Sequence, residues 1–256
     1  MLGTMAERAV APLIAHRGWQ RRFPENTLAS VRGALEVGAR WVEIDVQLAK
    51  DRVPFLLHDP DLERMTGVRG LLSERDADEA AELFASEPRR LGTRFEREPL
   101  ARLEAFVELL REFPEAEAFV ELKSESIEVF GVDAMLDAVL PVLAPAGRRC
   151  RLISFHLGVL RAARERCDLQ LGPVLERWSD RSSPAVLGLA PDVVFCNVKH
   201  LPHAGSIEPP RGKLALYEVD AASAARALLE RGAAWIETFA VGEMLEALNA
   251  PGEGPR

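Results

Sequence analysis

Residues 41–58 read Trp-Val-Glu-Ile-Asp-Val-Gln-Leu-Ala-Lys-Asp-Arg-Val-Pro-Phe-Leu-Leu-His, and this stretch decides the fold. It holds two strand-like apolar runs, Trp41–Val46 and Pro54–Leu57, with only a short polar segment between them. A crossover between parallel strands needs a dozen or more residues. The two runs must therefore form an antiparallel hairpin, with its turn near Asp51–Arg52.

Seven further runs are short, apolar and nearly continuous, which is typical of strands buried on both faces of a parallel sheet. They are Pro12–Ala15, Ala118–Leu122, Arg151–Phe155, Gln170–Leu175, Asp192–Asn197, Leu214–Val219 and Ala234–Thr238. Helical patterns separate most of them, at Thr27–Val37, Leu103–Leu110, Ile127–Leu143, Gly158–Arg166, Ala221–Arg231 and Gly242–Leu248. Asn26 is placed to cap the first helix. With the returning hairpin strand set aside, eight parallel strands remain, which predicts an α/β fold of the TIM (β/α)8 barrel type.

The composition fits one domain over residues 1–256 and excludes several classes of protein. The net charge of -8, with no basic patch, argues against a nucleic-acid partner. Three widely spaced cysteines favour neither a disulfide framework nor a zinc site. Residues 1–10 show no secretory signal, the tail from 251 to 256 is expected to fray, and the apolar stretch 134–146 is too interrupted to span a membrane. We expect a cytoplasmic protein, and the oligomeric state stays open.

Acidic side chains lie where the predicted barrel strands end, which is the active face of this architecture. Glu43 and Asp45 are two residues apart and point to the same side of one strand, and Glu121 ends the next barrel strand. The expected hairpin register puts His58 opposite Asp45, at the same rim. Three converging carboxylates repel one another unless a cation holds them. Oxygen ligands suit Mg²⁺ or Ca²⁺, with Mn²⁺ as a further candidate, better than zinc.

Basic residues surround this predicted cation site. His16 and Arg17 follow the first strand, and Lys123 follows Glu121. Arginine offers fixed donors to a phosphate oxygen, and a cation polarises a phosphoryl group. One histidine can accept a proton from the nucleophile while the other protonates the leaving alkoxide, which is worth about 10²–10⁴-fold in rate. The set predicts phosphate chemistry, whereas His156, His200 and His203 are interpreted as ordinary hydrogen-bonding residues.

Several segments, taken in order, resemble motifs of the glycerophosphodiester phosphodiesterase family. They are His16–Gly18, Pro24–Thr27, Glu43–Gln47, Lys50–Pro54 (with Arg52 where glycine is usual), His58–Asp59, Arg64–Gly67, Glu121–Lys123 and Ile153–Phe155. The resemblance runs from about Ile14 to Ala247. It implies a TIM barrel that uses a divalent cation to hydrolyse glycerophosphodiesters, small-molecule substrates of lipid metabolism, to glycerol 3-phosphate and an alcohol. It also implies a small cap-like insertion at residues 59–99.

The resemblance assigns roles to individual residues. It implies that His16 and His58 are the acid and base, that Glu43, Asp45 and Glu121 hold the metal, and that Arg17 and Lys123 hold the phosphate. Glu25, Phe155 and Tyr217 are further candidates for substrate contacts, with a plain core role for Tyr217 an equal alternative. Two strands depart from the family pattern, at residues 216–220 and 235–239. Because both help to line the predicted mouth, they leave the choice of substrate open.

Three other functions compete with this interpretation. A lysophospholipase D-like activity would need an apolar entry for an acyl chain, and no aromatic-rich insertion loop is visible. Hydrolysis of a cyclic or sugar phosphodiester stays open because of the altered strands. A non-catalytic barrel that binds a phosphorylated metabolite or a partner predicts that a histidine or a metal ligand is lost. All seven expected polar residues are present, which argues against the last alternative.

Overall fold

The computed structural model describes residues 11–250, so the expectations for the two termini lie outside the described residues. Nine strands form one sheet: β1 Leu13–Ala15, β2 Trp41–Leu48, β3 Pro54–Leu56, β4 Glu117–Leu122, β5 Cys150–Ser154, β6 Gln170–Leu175, β7 Val193–Asn197, β8 Lys213–Tyr217 and β9 Trp235–Thr238. Every pairing is parallel except β2 with β3, and β1 pairs with both β2 and β9, which closes the ring. The prediction of an eight-stranded parallel barrel with one strand outside it is confirmed.

The helices of the described residues lie mostly between barrel strands. They are α1 Leu28–Glu36, α2 Glu63–Thr66, α3 Ala77–Ala81, α4 Pro88–Leu91, α5 Leu103–Glu112, α6 Ser124–Phe130, α7 Val132–Leu143, α8 Leu157–Arg166, α9 Pro184–Gly188, α10 Ala222–Glu230 and α11 Val241–Asn249. The prediction of one helix over Ile127–Leu143 is wrong. Gly131, at a φ of 88°, separates α6 from α7, a backbone conformation that glycine adopts without strain.

The register of the hairpin differs by one residue from the prediction. Val46 faces Leu56 rather than Leu57, and Leu57 donates its backbone N–H to the carbonyl of Asp45 at 3.1 Å. His58 therefore follows the last paired residue instead of facing Asp45. Its backbone carbonyl accepts a hydrogen bond from the Gln47 amide at 3.0 Å, which still ties it to the rim.

The turn explains this difference. The backbone N–H of Ala49 donates to the carbonyl of Val53 at 3.0 Å, so the loop between the strands has three residues and not two. Arg52 closes the loop with a φ of 67°, the left-handed position that ends a three-residue hairpin. A non-glycine residue gives little signal for this conformation, so the sequence pointed to a shorter turn.

Three apolar clusters support the site. The largest packs the outer faces of the strands against the helices. A smaller cluster fills the barrel beneath the mouth and contains Ile14, Phe119, Ile153, Val174, Val193, Phe195, Ala215 and Trp235. The third joins residues of the hairpin to residues of the insertion 59–99. No helix within residues 11–250 is long and apolar enough to cross a bilayer.

Candidate active site

A cavity of about 150 Å³ opens at the carboxyl ends of the barrel strands. Its wall combines charged and polar side chains with aromatic and aliphatic ones. The lining residues are His16, Arg17, Glu43, His58, Glu121, Lys123, Ile153, Phe155, Val174, Phe195, Tyr217, Glu218 and Glu237. Eight of the ten residues singled out from the sequence lie in this wall. The other two, Asp45 and Glu25, are almost fully buried behind it.

The three predicted metal ligands lie together. Asp45 and Glu121 are register partners on β2 and β4, and Glu43 lies two residues before Asp45. Each of the three offers one oxygen, and these oxygens lie within 4.8 Å of one another. Glu43 is 2% exposed, and its Oε1 has no hydrogen-bond partner among the described residues. An unpartnered carboxylate oxygen in an all-oxygen donor set fits a hard divalent cation.

Electrostatics divide these carboxyl groups. Burial raises the pKa of Asp45, but the Arg17 guanidinium and the Lys123 ammonium outweigh burial and hold that pKa well below its usual range. Burial and the neighbouring Asp45 carboxylate raise the pKa of Glu121 to about 7. Burial, together with Asp45, also raises the pKa of Glu43. Ionising all three carboxyl groups at once is therefore unfavourable in the protein alone, and a bound cation would favour their ionised forms.

Asp45 is held from several sides. The Arg17 Nε lies 3.0 Å from its Oδ2, and the Lys123 Nζ lies 3.5 Å from its Oδ1. The Asn26 amide also hydrogen-bonds this carboxylate. The expectation that Asn26 caps α1 is wrong, because Thr27 is the cap and its side chain accepts from the backbone N–H of Ser30 at 3.1 Å. Asn26 is thereby free to position Asp45.

Arg17 and Lys123 are the cationic residues of the wall. The Arg17 guanidinium lies 3.1 Å from Glu25 as well as beside Asp45, and its backbone N–H donates to Glu43. Lys123 lies 3.0 Å from Glu121, which is its nearest acidic partner. Burial lowers the pKa of both groups, but the adjacent carboxylates raise it by a larger amount. The net effect is a raised pKa, so each group carries a fixed positive charge.

His16 is buried, with 7% of its surface exposed, and its ring stacks on Phe239 at a centroid distance of 4.6 Å. Its Nε2 lies 3.8 Å from Glu43. Burial, followed by the nearby Arg17 charge, lowers the pKa of His16 well below its usual value. The imidazole of the protein alone is therefore neutral at pH 7 and retains one nitrogen lone pair for a proton or a metal.

His58 is more open and belongs to a chain of polar contacts. Its Nδ1 lies 2.7 Å from Asp59, which directs the other ring nitrogen away from this partner. Arg64 of the insertion pairs with Asp59 and also, at 2.6 Å, with Glu25. Sequence reasoning used Arg64 only as part of a matching motif. The structure shows that Arg64 joins the partner of His58 to Glu25, which is a partner of Arg17.

The remaining predicted contacts differ in position. Phe155 and Tyr217 line the cavity, and Phe155 is 39% exposed. Glu25 is 1% exposed and is surrounded by Arg17, Arg64 and Gln20. Its oxygens are already occupied by protein donors, so in this structure it positions Arg17. No residue of the insertion 59–99 lines the cavity.

Two acids of the wall were missed as site residues. Glu218 and Glu237 both line the cavity, and Glu237 is 2% exposed. Burial, with Glu121 as the nearest acidic contribution, raises the pKa of Glu237 well above its usual value. The signal was available, because Glu237 is two residues after Trp235, which fills the barrel interior, and so shares its inward face. The stacking of Phe239 on His16 left no such signal.

The fold and this mouth define a (β/α)8 barrel whose candidate active site, at the carboxyl ends of the strands, combines carboxylates, two histidines and fixed cations. The family model of the "Glycerophosphoryl diester phosphodiesterase family" matches residues 16–239. The chain belongs to this family, and the resemblance seen in its motifs is confirmed.

Relatives and solved structures agree with this assignment. The chain is 39% identical over 99 residues to glycerophosphodiester phosphodiesterase 1 of Mus musculus, covering 38% of this chain and 30% of that protein. It is 32% identical over 124 residues to a glycerophosphodiester phosphodiesterase of Caldanaerobacter subterraneus, covering 48% and 50%. The matches thus span half or less of these curated relatives.

Two solved structures show the same fold. An Oleispira antarctica phosphodiesterase, determined in complex with the product sn-glycerol-3-phosphate, superposes with a TM-score of 0.82 at 23% identity over 94% of this chain and 98% of that one. A glycerophosphodiester phosphodiesterase of Agrobacterium tumefaciens gives a TM-score of 0.75 at 23% identity over 92% and 99%. At these identities the likeness establishes the barrel fold.

Proposed function

We propose that this chain hydrolyses glycerophosphodiesters to glycerol 3-phosphate and an alcohol, with a divalent cation and with His16 and His58 as acid and base. The observation that carries the proposal is that both imidazoles line one cavity together with Glu43, Glu121 and the cation pair Arg17 and Lys123. The product bound in the Oleispira antarctica relative supports the choice of substrate. We further propose Mg²⁺ or Ca²⁺, with Mn²⁺ next, because the ligands of this site are all oxygens.

The residues of the wall divide the work of the reaction. Arg17 and Lys123 bind the phosphate oxygens, and the raised pKa of each side chain keeps it positively charged at neutral pH. One histidine accepts the proton of the attacking water, and the other donates a proton to the leaving alkoxide. Asp59 fixes the ring of His58, and the stack on Phe239 fixes the ring of His16. Glu43, Asp45 and Glu121 would hold the cation, which when bound polarises a phosphoryl oxygen.

The cavity also has an apolar part. Phe155, Tyr217 and Phe195 contribute apolar surface to its wall. We propose that this surface contacts the glycerol carbons or the alcohol. Fixed aromatic side chains here position the diester against the histidines, and holding reacting groups in place lowers the entropic barrier.

A coupled assay for glycerol 3-phosphate tests the proposal directly. Purified protein is incubated with glycerophosphocholine, glycerophosphoethanolamine, glycerophosphoinositol and glycerophosphoglycerol in Mg²⁺, Ca²⁺ or Mn²⁺. We expect release of glycerol 3-phosphate from at least one of these four glycerophosphodiesters. A panel of cyclic and sugar phosphodiesters is run beside it. No turnover of any glycerophosphodiester by cation-loaded protein, with turnover in the second panel, would replace the proposed substrate class.

A further inference from the structure

Glu237 extends the acidic site beyond the three predicted ligands. His16, Glu43 and Glu237 each offer one ligand atom, and these three atoms lie within 4.8 Å of one another. This group is distinct from Glu43, Asp45 and Glu121, but the two groups share the carboxylate of Glu43. The mouth therefore holds two adjacent sets of donors with one residue in common.

The second set is buried and lacks internal partners. His16, Glu43 and Glu237 are 7%, 2% and 2% exposed. The Nδ1 of His16 and one Oε1 each of Glu43 and Glu237 have no hydrogen-bond partner within residues 11–250. Buried polar atoms are almost always partnered, and a buried unpaired charge is costly. Three unpartnered polar atoms on the side chains of one donor set indicate that a ligand completes the set.

The charges around the second set indicate what that ligand is. Arg17 and Lys123 both lie within ion-pair distance of Asp45, at 3.0 and 3.5 Å, and Lys123 also pairs with Glu121. Both cations lie closest to the first set, and Arg17 acts on Glu237 only from a longer distance. No arginine or lysine of residues 11–250 lies within 4.0 Å of the Glu237 carboxylate. A positively charged ligand would offset the negative charge of the ionised Glu237 carboxylate.

We propose that His16, Glu43 and Glu237 form a second metal site, for a divalent transition metal ion, which shares the Glu43 carboxylate with the first site. One imidazole nitrogen and two carboxylates suit Mn²⁺ or Zn²⁺ better than Mg²⁺ or Ca²⁺, which prefer oxygen alone. A shared carboxylate places two ions about 3.5–4 Å apart, as in enzymes that use paired metals.

The second site regulates the first through His16, and this step rests on the proposed function. The Nε2 of His16 lies 3.8 Å from Glu43 and is the ring nitrogen that faces this carboxylate. An ion bound to this nitrogen occupies its lone pair, so this nitrogen can no longer act as an acid or base in the reaction. Excess Mn²⁺ is expected to slow the reaction supported by Mg²⁺, and Glu237→Gln is expected to weaken this inhibition by at least about tenfold, as the loss of a ligand should.

Ion counts test the site without any need for turnover. Purified full-length protein is titrated with Mn²⁺ by calorimetry and followed by electron paramagnetic resonance. We expect two ions with a spin-coupled spectrum in the wild type, and one isolated ion in Glu237→Gln and in Glu121→Gln. Glu218→Gln is the matched control, since it removes an acid of the same wall that belongs to neither set, and it is expected to keep two coupled ions.

One ion in the wild type, or two coupled ions in Glu237→Gln, would overturn the proposal and make Glu237 a buried protonated acid. Circular dichroism of each variant checks that the fold is intact. If the protein hydrolyses no glycerophosphodiester, the proposed function fails, but the ion counts still decide the second site. If Mn²⁺ binds twice and accelerates the reaction, the site stands and the regulatory role of His16 falls.

Discussion

Asn26 forms two hydrogen bonds with Asp45, one through each end of its side-chain amide. Its Nδ2 donates to the Oδ2 of Asp45 at 2.8 Å, and its Oδ1 accepts from the backbone N–H of Asp45 at 3.0 Å. Asn26 reaches this position with a φ of 53°, a left-handed conformation that asparagine tolerates better than most residues. The pair fixes the most buried carboxylate of the predicted metal site, so we expect the amide to control how Asp45 would bind a cation.

Replacing this amide is expected to loosen the metal site. Asn26→Ala removes both hydrogen bonds, and the loss of a partner that orients a ligand typically costs about 10–100-fold in metal affinity. Calorimetric titration with Mg²⁺ or Ca²⁺ measures the effect. Asn197→Ala is the control, because that amide accepts from Lys199 at the end of β7 and does not line the cavity. Equal affinities in the two variants would show that Asp45 needs no help from Asn26.

Both histidines are expected to be essential. His16→Ala and His58→Ala should each lower kcat by about 10²–10⁴-fold, the usual contribution of a positioned acid or base. His200→Ala, which changes an exposed histidine outside the cavity, should leave kcat unchanged. The rates are measured on whichever glycerophosphodiester turns over fastest. A loss below about threefold in either variant would remove that histidine from the acid and base roles.

Arg64 is expected to act through its partners. It pairs with Asp59, the partner of His58, and with Glu25, the partner of Arg17. Arg64→Met keeps most of the side-chain volume but frees both carboxylates, so kcat/KM should fall by about 10–100-fold, as is typical when an outer partner is lost. Arg69→Met, in the same insertion but almost fully exposed, is the control. Identical kinetics in the two variants would contradict the role.

The floor of the barrel carries a pH-dependent ion pair. Glu117 starts β4 and lies between Arg151 and Arg40. Burial raises the pKa of Glu117, but the two guanidinium groups outweigh it and hold the pKa below its usual value. A depressed folded pKa means that the stabilisation is present above the unfolded pKa, about 4.3, and is lost as pH falls through the folded value.

Glu117→Gln tests this sign. At pH 7 the free energy of unfolding of the variant should be about 1–3 kcal/mol lower than that of the wild type, the range for a lost charged hydrogen bond. At pH 3.5, which is below the unfolded pKa, the unfolded carboxyl binds protons more readily than the folded one, so the difference should shrink. Urea unfolding at both pH values measures it. A difference that is the same at both would assign the effect to packing.

The sequence predicted the barrel well because its signals are strong. Nine short apolar runs matched nine strands, and chain length alone required β2 and β3 to run antiparallel. The details that failed depend on single backbone angles. Arg52 adopts a left-handed conformation without being glycine, which lengthened the turn and shifted His58 by one residue.

Site residues were predictable where the alternation of side chains along a strand fixed the direction in which each side chain points. They were less predictable elsewhere. Glu43 and Asp45 share a face by their spacing, and Glu237 was identifiable by the same rule from Trp235. The contact between Arg64 and Glu25 joins residues that are 39 positions apart. Such a pairing depends on how the insertion packs against the hairpin, which no local pattern encodes.

We propose that the cavity at the mouth of the barrel performs cation-dependent hydrolysis of a glycerophosphodiester. Phosphorus NMR of the reaction measures it most directly, with the fastest substrate followed in Mg²⁺ or Ca²⁺, then after chelator, then after the cation is restored. We predict that the diester signal converts to that of glycerol 3-phosphate, that conversion stops with chelator, and that it resumes with the cation. Conversion that continues unchanged in chelator, or a product other than glycerol 3-phosphate, would contradict the account.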